Sequence, residues 1–379
     1  MLSSRERVLC ALSHDEPDRV PIFLGTSGVT SILAPAYEQL KTYLGVTTPP
    51  AYISRTFQYA RLDDEVMERL GSDGRPLLPG PAPSSHRRDL GDEDFVDEWG
   101  VEWWRRPGSL YYELSQAPLQ HATGDDLGQY RWPDLGDPGR FADLAREAQR
   151  IRDMGCAVVA LPGVSPFEQV LSLRGMEEFL VDMVADEEFA HLLIDTVAGV
   201  MMAGLRGLLD AVGELVDVVV MADDLGTQIA PMISPAMYRS FLKPRHAEFT
   251  AAVRARSSAK VFLHSDGNVY PLIPDLIDAG FDVLNPVQIS ATDMGDTARL
   301  KREFGSKLAF CGGIDTGWVL PHGTTADVRA EVRRRIHDLA PGGGYILAAV
   351  HCIQPDVPIE NVLAMFDEAK TAGTYPTFA

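Results

Sequence analysis

The feature that most limits what this chain can fold into is an alternation. Short β-branched or apolar runs stop abruptly at Gly, Asp, His or Pro, and most are followed by a longer stretch whose apolar residues recur at helical spacing. Eight runs fit this description: 20–25, 75–78, 156–162, 216–221, 260–264, 283–287, 308–311 and 345–351. Helical spacing or cap-like Ser, Asp and Pro starts fall at 176–184, 189–209, 235–254, 269–279 and 326–339. Strands alternating with helices predict a parallel sheet with helical crossovers, and eight of them predict a (β/α)8 TIM barrel.

Such a barrel takes about 250 residues, and this chain has 379. The excess falls in the first half. Residues 79–135 are rich in Pro, Gly and acids, and carry FVDEWGVEWWRR and SLYYEL on either side of the Pro107-Gly108 turn signal. This predicts an aromatic β-hairpin inserted into one barrel domain that spans 1–379. Trp99, Trp103 and Trp104 have two readings there, lining a ligand mouth or packing on the scaffold.

Aliphatic and aromatic residues make up 45% of the chain and charged residues 23%, which excludes disordered and fibrous classes. The net charge of −20 argues against nucleic acid or an anionic membrane surface as partner. An apolar run long enough to span a bilayer is not expected, and the charged opening predicts no signal peptide. Four widely spaced cysteines, Cys10, Cys156, Cys311 and Cys352, predict free thiols and a cytoplasmic setting.

In barrels of this class the site lies where the strands end, so the residues at the strand ends are the candidates. They are Asp223 and Asp224 in ADDLG, His264 and Asp266 in HSDGN, Asn285 and Gln288 in NPVQ, Cys311 in CGGID, and His351 in HCIQPD. His264-x-Asp266 is the sharpest pair, because residues two apart on a strand end share a face. With Cys311 and His351 they form a nitrogen, oxygen and sulfur set suited to zinc; the alternative is a pair of neutral histidines bonded to loop carbonyls. Asp223 and Asp224 are adjacent, so one faces the barrel mouth as a catalytic carboxylate and the other caps a helix or holds a loop. Glu168 either faces the mouth or belongs to a helix start with Ser165-Pro166. Cys352 is expected in the core. His14, His246, His322 and His337 have no partner evident from sequence and are expected solvated or packed.

Several phrases in order, RERVLCALSHDEPDRVPI, MADDLGTQIAPMISPAMYRSFLKPRH, FLHSDGNVYPLIPDLIDAGFDVLNPVQ, FCGGID and AAVHCIQPDVPIENVLAMFDEA, resemble the uroporphyrinogen decarboxylase superfamily from about residue 4 to residue 371. That resemblance implies a (β/α)8 barrel. It also implies a choice between decarboxylases and methyltransferases that exchange methyl groups with a corrinoid on a separate protein. The decarboxylases carry an arginine-rich phrase after the first strand, where this chain reads VPIFLGTSG with no arginine. The corrinoid-linked branch binds zinc through His-x-Cys and a later Cys; here His264 matches the histidine, Asp266 replaces the first cysteine and His351 stands near the last.

A harder donor set suits an ether or phenolate oxygen. The resemblance therefore implies an enzyme that moves a methyl group from a small methylated, methoxylated substrate to a corrinoid-binding protein, with zinc at His264, Asp266 and His351, to which the strand-end reading adds Cys311. In that reading Asp223, Asp224, His264 and Asp266 are catalytic, and Glu168, Asn285, Gln288 and Trp103 bind substrate. By analogy with the superfamily it further implies a homodimer. The alternatives are a uroporphyrinogen-decarboxylase-like lyase acting on a small carboxylated substrate, and a non-catalytic binding module that keeps the barrel.

Overall fold

The structure, a computed structural model, describes residues 1–82, 84–91 and 93–376. Seven strands form one parallel sheet in sequence order: β1 (Gly74–Leu77), β2 (Ala157–Val164), β3 (Val218–Ala222), β4 (Lys260–His264), β5 (Val283–Asn285), β6 (Ala309–Ile314) and β7 (Tyr345–Ala349). The eighth expected strand, 20–25, is not a regular one. Pro21 has no N–H to give to a ladder, so the segment makes a single parallel bridge, Ile22 to Leu347. It still lies between the two sheet edges: Phe23 N–H donates to Leu347 O on the β7 side, and Asp73 N–H donates to Ile22 O beside β1. The sheet is curled, with helices on its outside.

Strands covered on both faces need apolar side chains on both. Phe23, Val159, Val218, Val220, Phe262, Val283, Ala309 and Ile346 pack together in one cluster, and the helix Ser4–Leu12 adds Val8 and Leu12 to it. Acids placed just before strands knit the same end. Asp217 accepts from Val158 N at 2.9 Å and Asp282 from Val261 N at 2.8 Å. Gly344 N–H donates to Ala11 O, so the turn before β7 also lies at this end, away from the strand ends.

The helix Glu187–Val212 corrects one expectation. With the turn that continues it to Leu215, it is long and apolar enough, at a mean hydropathy of 1.6 over its most apolar window, to cross a membrane by length and composition. In this fold Phe189, Leu193, Ile194, Val197, Leu205 and Leu208 are buried along it as a core face.

Where the sequence predicted one hairpin, an antiparallel sheet of four strands stands: Arg88–Asp89, Asp94–Val96, Glu102–Trp104 and Glu113–Gln116. Phe95 faces Trp103, and Trp103 faces Leu114. The three tryptophans part company. Trp99 is buried, Trp104 is exposed, and only Trp103 of the three turns toward the cavity beside the strand ends.

Candidate active site

His264 is the last residue of β4, and Asn285 ends β5 directly opposite it. Asn285 Nδ2 donates to Cys311 O at 3.1 Å, which leaves Asn285 Oδ1 to accept from His264 Nδ1 at 2.7 Å. The proton is thereby fixed on Nδ1, and Nε2 faces the mouth. Asp266 Oδ1 lies 4.0 Å from that Nε2, and Asp224 Oδ1 lies 3.8 Å from it. His351 Nε2 is 3.8 Å from Asp266 Oδ2. Donor atoms of His264, Asp266 and His351 all lie within 4.8 Å of one another.

Opposing effects set the charge on these rings. Burial pulls the His264 pKa down, but Asp266, Asp224, the Asn285 hydrogen bond and Glu168 outweigh it and leave the pKa raised. Burial lowers the pKa of His351 and prevails there, so this ring is held neutral with a lone pair to give. Asp266 Oδ1 is buried without a hydrogen-bond partner, a costly state for a carboxylate unless something else occupies its lone pairs. Two imidazole nitrogens and an orphaned carboxylate oxygen converging on one point fit a divalent metal such as zinc.

Cys311 does not join them, contrary to the sequence expectation. Asn285 stands between it and His264, and the thiol is fully buried, with its pKa pushed far up by desolvation. Its carbonyl, not its sulfur, serves the site.

The two adjacent aspartates divide as their opposite faces require. Asp224 looks into the mouth and accepts from Asp266 N at 2.8 Å. Asp223 is committed elsewhere, which corrects its assignment as a catalytic carboxylate. Its Oδ1 accepts from Phe167 N at 2.9 Å, Glu168 N at 3.2 Å and Ser165 Oγ at 3.2 Å, so it caps the helix Pro166–Arg174. Its Oδ2 pairs with His246 Nε2 at 2.9 Å. His246, expected solvated or packed, is packed: it is fully buried between Asp223, a partner the sequence did not reveal, and the Tyr238 hydroxyl, 3.1 Å from its Nδ1.

That cap places Glu168 on the wall of a cavity of about 520 Å3, together with Trp103, Asp97, Asp224, Leu171, Met176 and Met232. Desolvation and then the charges of Asp224 and Asp223 push the Glu168 carboxyl up to about 8. Trp103 is held by its indole N–H, which donates to Asp97 Oδ2 at 2.8 Å. Gln288 and Asn285, expected to bind substrate, are spent on structure. Gln288 Oε1 accepts from Gly267 N at 2.7 Å and steadies the loop after β4, and Asn285 orients His264 as above.

One residue escaped the sequence reading, and another, Cys352, is buried as expected but also touches the site. The Tyr59 hydroxyl lies 3.2 Å from His351 Nε2, and burial holds it un-ionised. Cys352 Sγ lies 3.1 Å from His351 Nδ1, so this thiol, expected only in the core, braces the ring, and burial pushes its pKa up to about 12. Nothing in the sequence pattern singles out Tyr59, which comes from a two-residue strand, Tyr59–Ala60.

The family model for uroporphyrinogen decarboxylase (URO-D) matches residues 120–372, well over half of the chain. The protein belongs to the URO-D family. Curated URO-D relatives are distant: a uroporphyrinogen decarboxylase of Thioalkalivibrio sulfidiphilus is 24% identical over 276 residues, 70% of this chain and 74% of that protein. One of Neisseria meningitidis is 22% identical over 274 residues, 68% of this chain and 72% of that protein. Among solved structures, a methyltransferase from Methanosarcina mazei superposes with a TM-score of 0.67 over 98% of this chain and 99% of that one, at 20% identity. This last likeness is one of fold. Family members are enzymes, and in barrels of this class the strand ends, where the cluster lies, are where active sites sit.

Proposed function

We propose that the protein moves a methyl group from a small methylated substrate, a methyl ether of an aryl alcohol, to the cobalt of a corrinoid carried by a separate protein. The observation that carries this reading is the convergence of His264, Asp266 and His351, with Asp266 Oδ1 unpaired, beside a cavity walled by Trp103. Two histidines and a carboxylate favour an oxygen ligand over a thiol. The fold shared with a methyltransferase agrees with it.

A metal ion held by His264, Asp266 and His351 supplies a Lewis acid for the ether oxygen, and the corrinoid supplies the nucleophile for the methyl carbon. The remaining work falls to the protein's side chains. As the carbon–oxygen bond breaks, its electron pair stays on oxygen, and an aryl oxide leaves more readily once protonated. Glu168 retains its proton at neutral pH and stands in the cavity wall, so it donates that proton to the departing oxygen. Asp223 is a positioning residue: it holds the backbone N–H groups of Phe167 and Glu168 and so fixes where the acid stands. Asp224 holds the Asp266 N–H and with it the carboxylate that faces His264.

The names of the curated relatives favour a second reading, a lyase acting on a carboxylated substrate. Against it, the segment 20–28 carries no arginine, and its hydroxyls are bonded to the nearby Thr30: Thr26 to Thr30 at 2.9 Å and Ser27 to Thr30 at 3.0 Å.

The test is elemental analysis of the purified wild type and His264→Ala, each then assayed for methylcobalamin formation from cob(I)alamin and an aryl methyl ether. Near-stoichiometric zinc and methyl transfer are expected in the wild type, both lost in a folded variant. Unchanged turnover in His264→Ala removes this site from consideration. Carbon dioxide release from a carboxylated substrate without any corrinoid favours the lyase.

A further inference from the structure

The cavity beside the metal-binding triad has the volume of a pocket for one small organic molecule, about 520 Å3. Its walls are of three kinds. Trp103, Leu171, Met176 and Met232 offer apolar and aromatic surface, Asp97, Glu168 and Asp224 offer carboxyl groups, and Thr56, Gln169, Ser165 and Ser172 are neutral and polar, the last two with their hydroxyls donated to Glu168. Among the described residues that line it there is no Lys or Arg. Arg55, next in sequence to the lining residue Thr56, is turned away: it bonds Asp89 at 2.8 Å and lies over the rings of Phe95 and Tyr112.

Charge decides what such a cavity admits. An anion entering it gives up its water and meets carboxyl oxygens, with no Lys or Arg on the lining to repay the loss and with the nearby His264 ring already faced by Asp224 and Asp266. A neutral aromatic ring gains contact with the Trp103 indole and the methionine sulfurs. A cationic substituent gains further from the Asp224 carboxylate and from the indole face, while Glu168 keeps its proton. A divalent ion at the triad does not reverse the balance, because Asp266 among its ligands and Asp224 beside His264 bring two carboxylates against its two charges.

We infer that the methyl donor is an aryl methyl ether bearing a neutral or cationic substituent, and that the site rejects the carboxylate counterpart of the same shape. This rests on the methyl-transfer reading of the same site and narrows its substrate class.

The experiment uses the full chain and three probes of one shape, a methoxybenzene bearing a hydroxymethyl, an aminomethyl or a carboxylate group at the same ring position. Calorimetric titration gives each dissociation constant without turnover, and the same probes are then offered with cob(I)alamin. The neutral and cationic probes are expected to bind at least ~10-fold more tightly than the carboxylate at pH 7. In Glu168→Gln/Asp224→Asn the gap is expected to narrow, chiefly through tighter binding of the carboxylate. A carboxylate probe that binds the wild type as tightly as the neutral one overturns the inference. The expected binding order with no methyl transfer from any probe sinks the methyl-transfer reading and leaves the charge selection standing. Methyl transfer from the carboxylate probe alone does the reverse, and binding of none of the three overturns both.

Discussion

A hydrogen bond on one side of the His264 ring decides what its other side can do. Because Asn285 Oδ1 takes the Nδ1 proton, Nε2 is presented to the mouth in one orientation. Removing such a support typically costs ~10–100-fold in metal affinity, so Asn285→Ala is expected to lower zinc affinity by about that factor in a chelator competition. Glu168 makes a different prediction. In the proposed reaction its protonated form is the active one, so methyl transfer is expected to fall as pH rises through about 8, and Glu168→Gln to lose both the activity and that limb of the profile. The linkage runs in parallel: the folded pKa lies above the ordinary 4.5, so the stability this carboxyl contributes is complete below about 4.5 and is lost as pH rises through about 8. Glu168→Gln, which cannot ionise, is therefore expected to gain several kcal/mol, on the order of 4, over the wild type at pH 9 relative to pH 5, measured by urea unfolding. His264, Asp266 and His351 were legible in the sequence because each ends or follows a strand. Tyr59 was not, since it sits on a strand too short to carry a pattern. Cys311 misled for the opposite reason: it lies within a strand that continues to Ile314, below the rim, with Asn285 between it and the metal-binding residues.

At the scale of elements, the loops that follow β3 and β4 are pressed together without side chains between them. A Cβ on Gly226 would lie 2.6 Å from Asp266 O, and one on Gly267 would lie 2.4 Å from the carbonyl carbon of Gly226. Both distances are shorter than any relaxed contact, so these glycines let the Asp224 loop and the Asp266 loop share one place. Gly226→Ala must part them. The expected result is zinc affinity lowered at least ~10-fold with a cooperative thermal transition retained, because the strands below are untouched. Retained affinity would show that the loops shift as a unit. The inserted sheet joins the site through side chains: Trp103 walls the cavity, and the Tyr111 hydroxyl donates to Gln354 Oε1 at 2.7 Å on the loop after β7. The sequence exposed the aromatic content of this insertion but not its four strands, since two-residue and three-residue strands such as Arg88–Asp89 and Asp94–Val96 leave no alternation to read.

Over the whole molecule, chemistry and closure occupy opposite ends of the sheet. The candidate metal ligands end or follow the strands, whereas Asp73, which precedes β1, is fully buried and accepts from Arg7 at 2.7 Å, from Arg19 at 2.8 and 2.9 Å, and from Ile22 N at 2.8 Å. One carboxylate thus ties the N-terminal helix, the irregular segment 20–24 and β1 together, where Pro21 has cost the ladder its regular bonds. On a chain of net charge −20, a buried acid is tolerable only because two guanidiniums surround it. Asp73→Ala leaves Arg7 with Asp18 at 2.7 Å as its remaining carboxylate and strands the Ile22 N–H. Breaking a buried pair from one side costs ~3–5 kcal/mol, which is the loss expected in urea unfolding. Zinc bound per folded molecule is expected to stay unchanged, since nothing at the strand ends rests on Asp73. A variant that loses metal while still folded would mean that the segment 20–24 transmits strain along the barrel wall to the mouth, and closure and catalysis would then be one property of this fold instead of two.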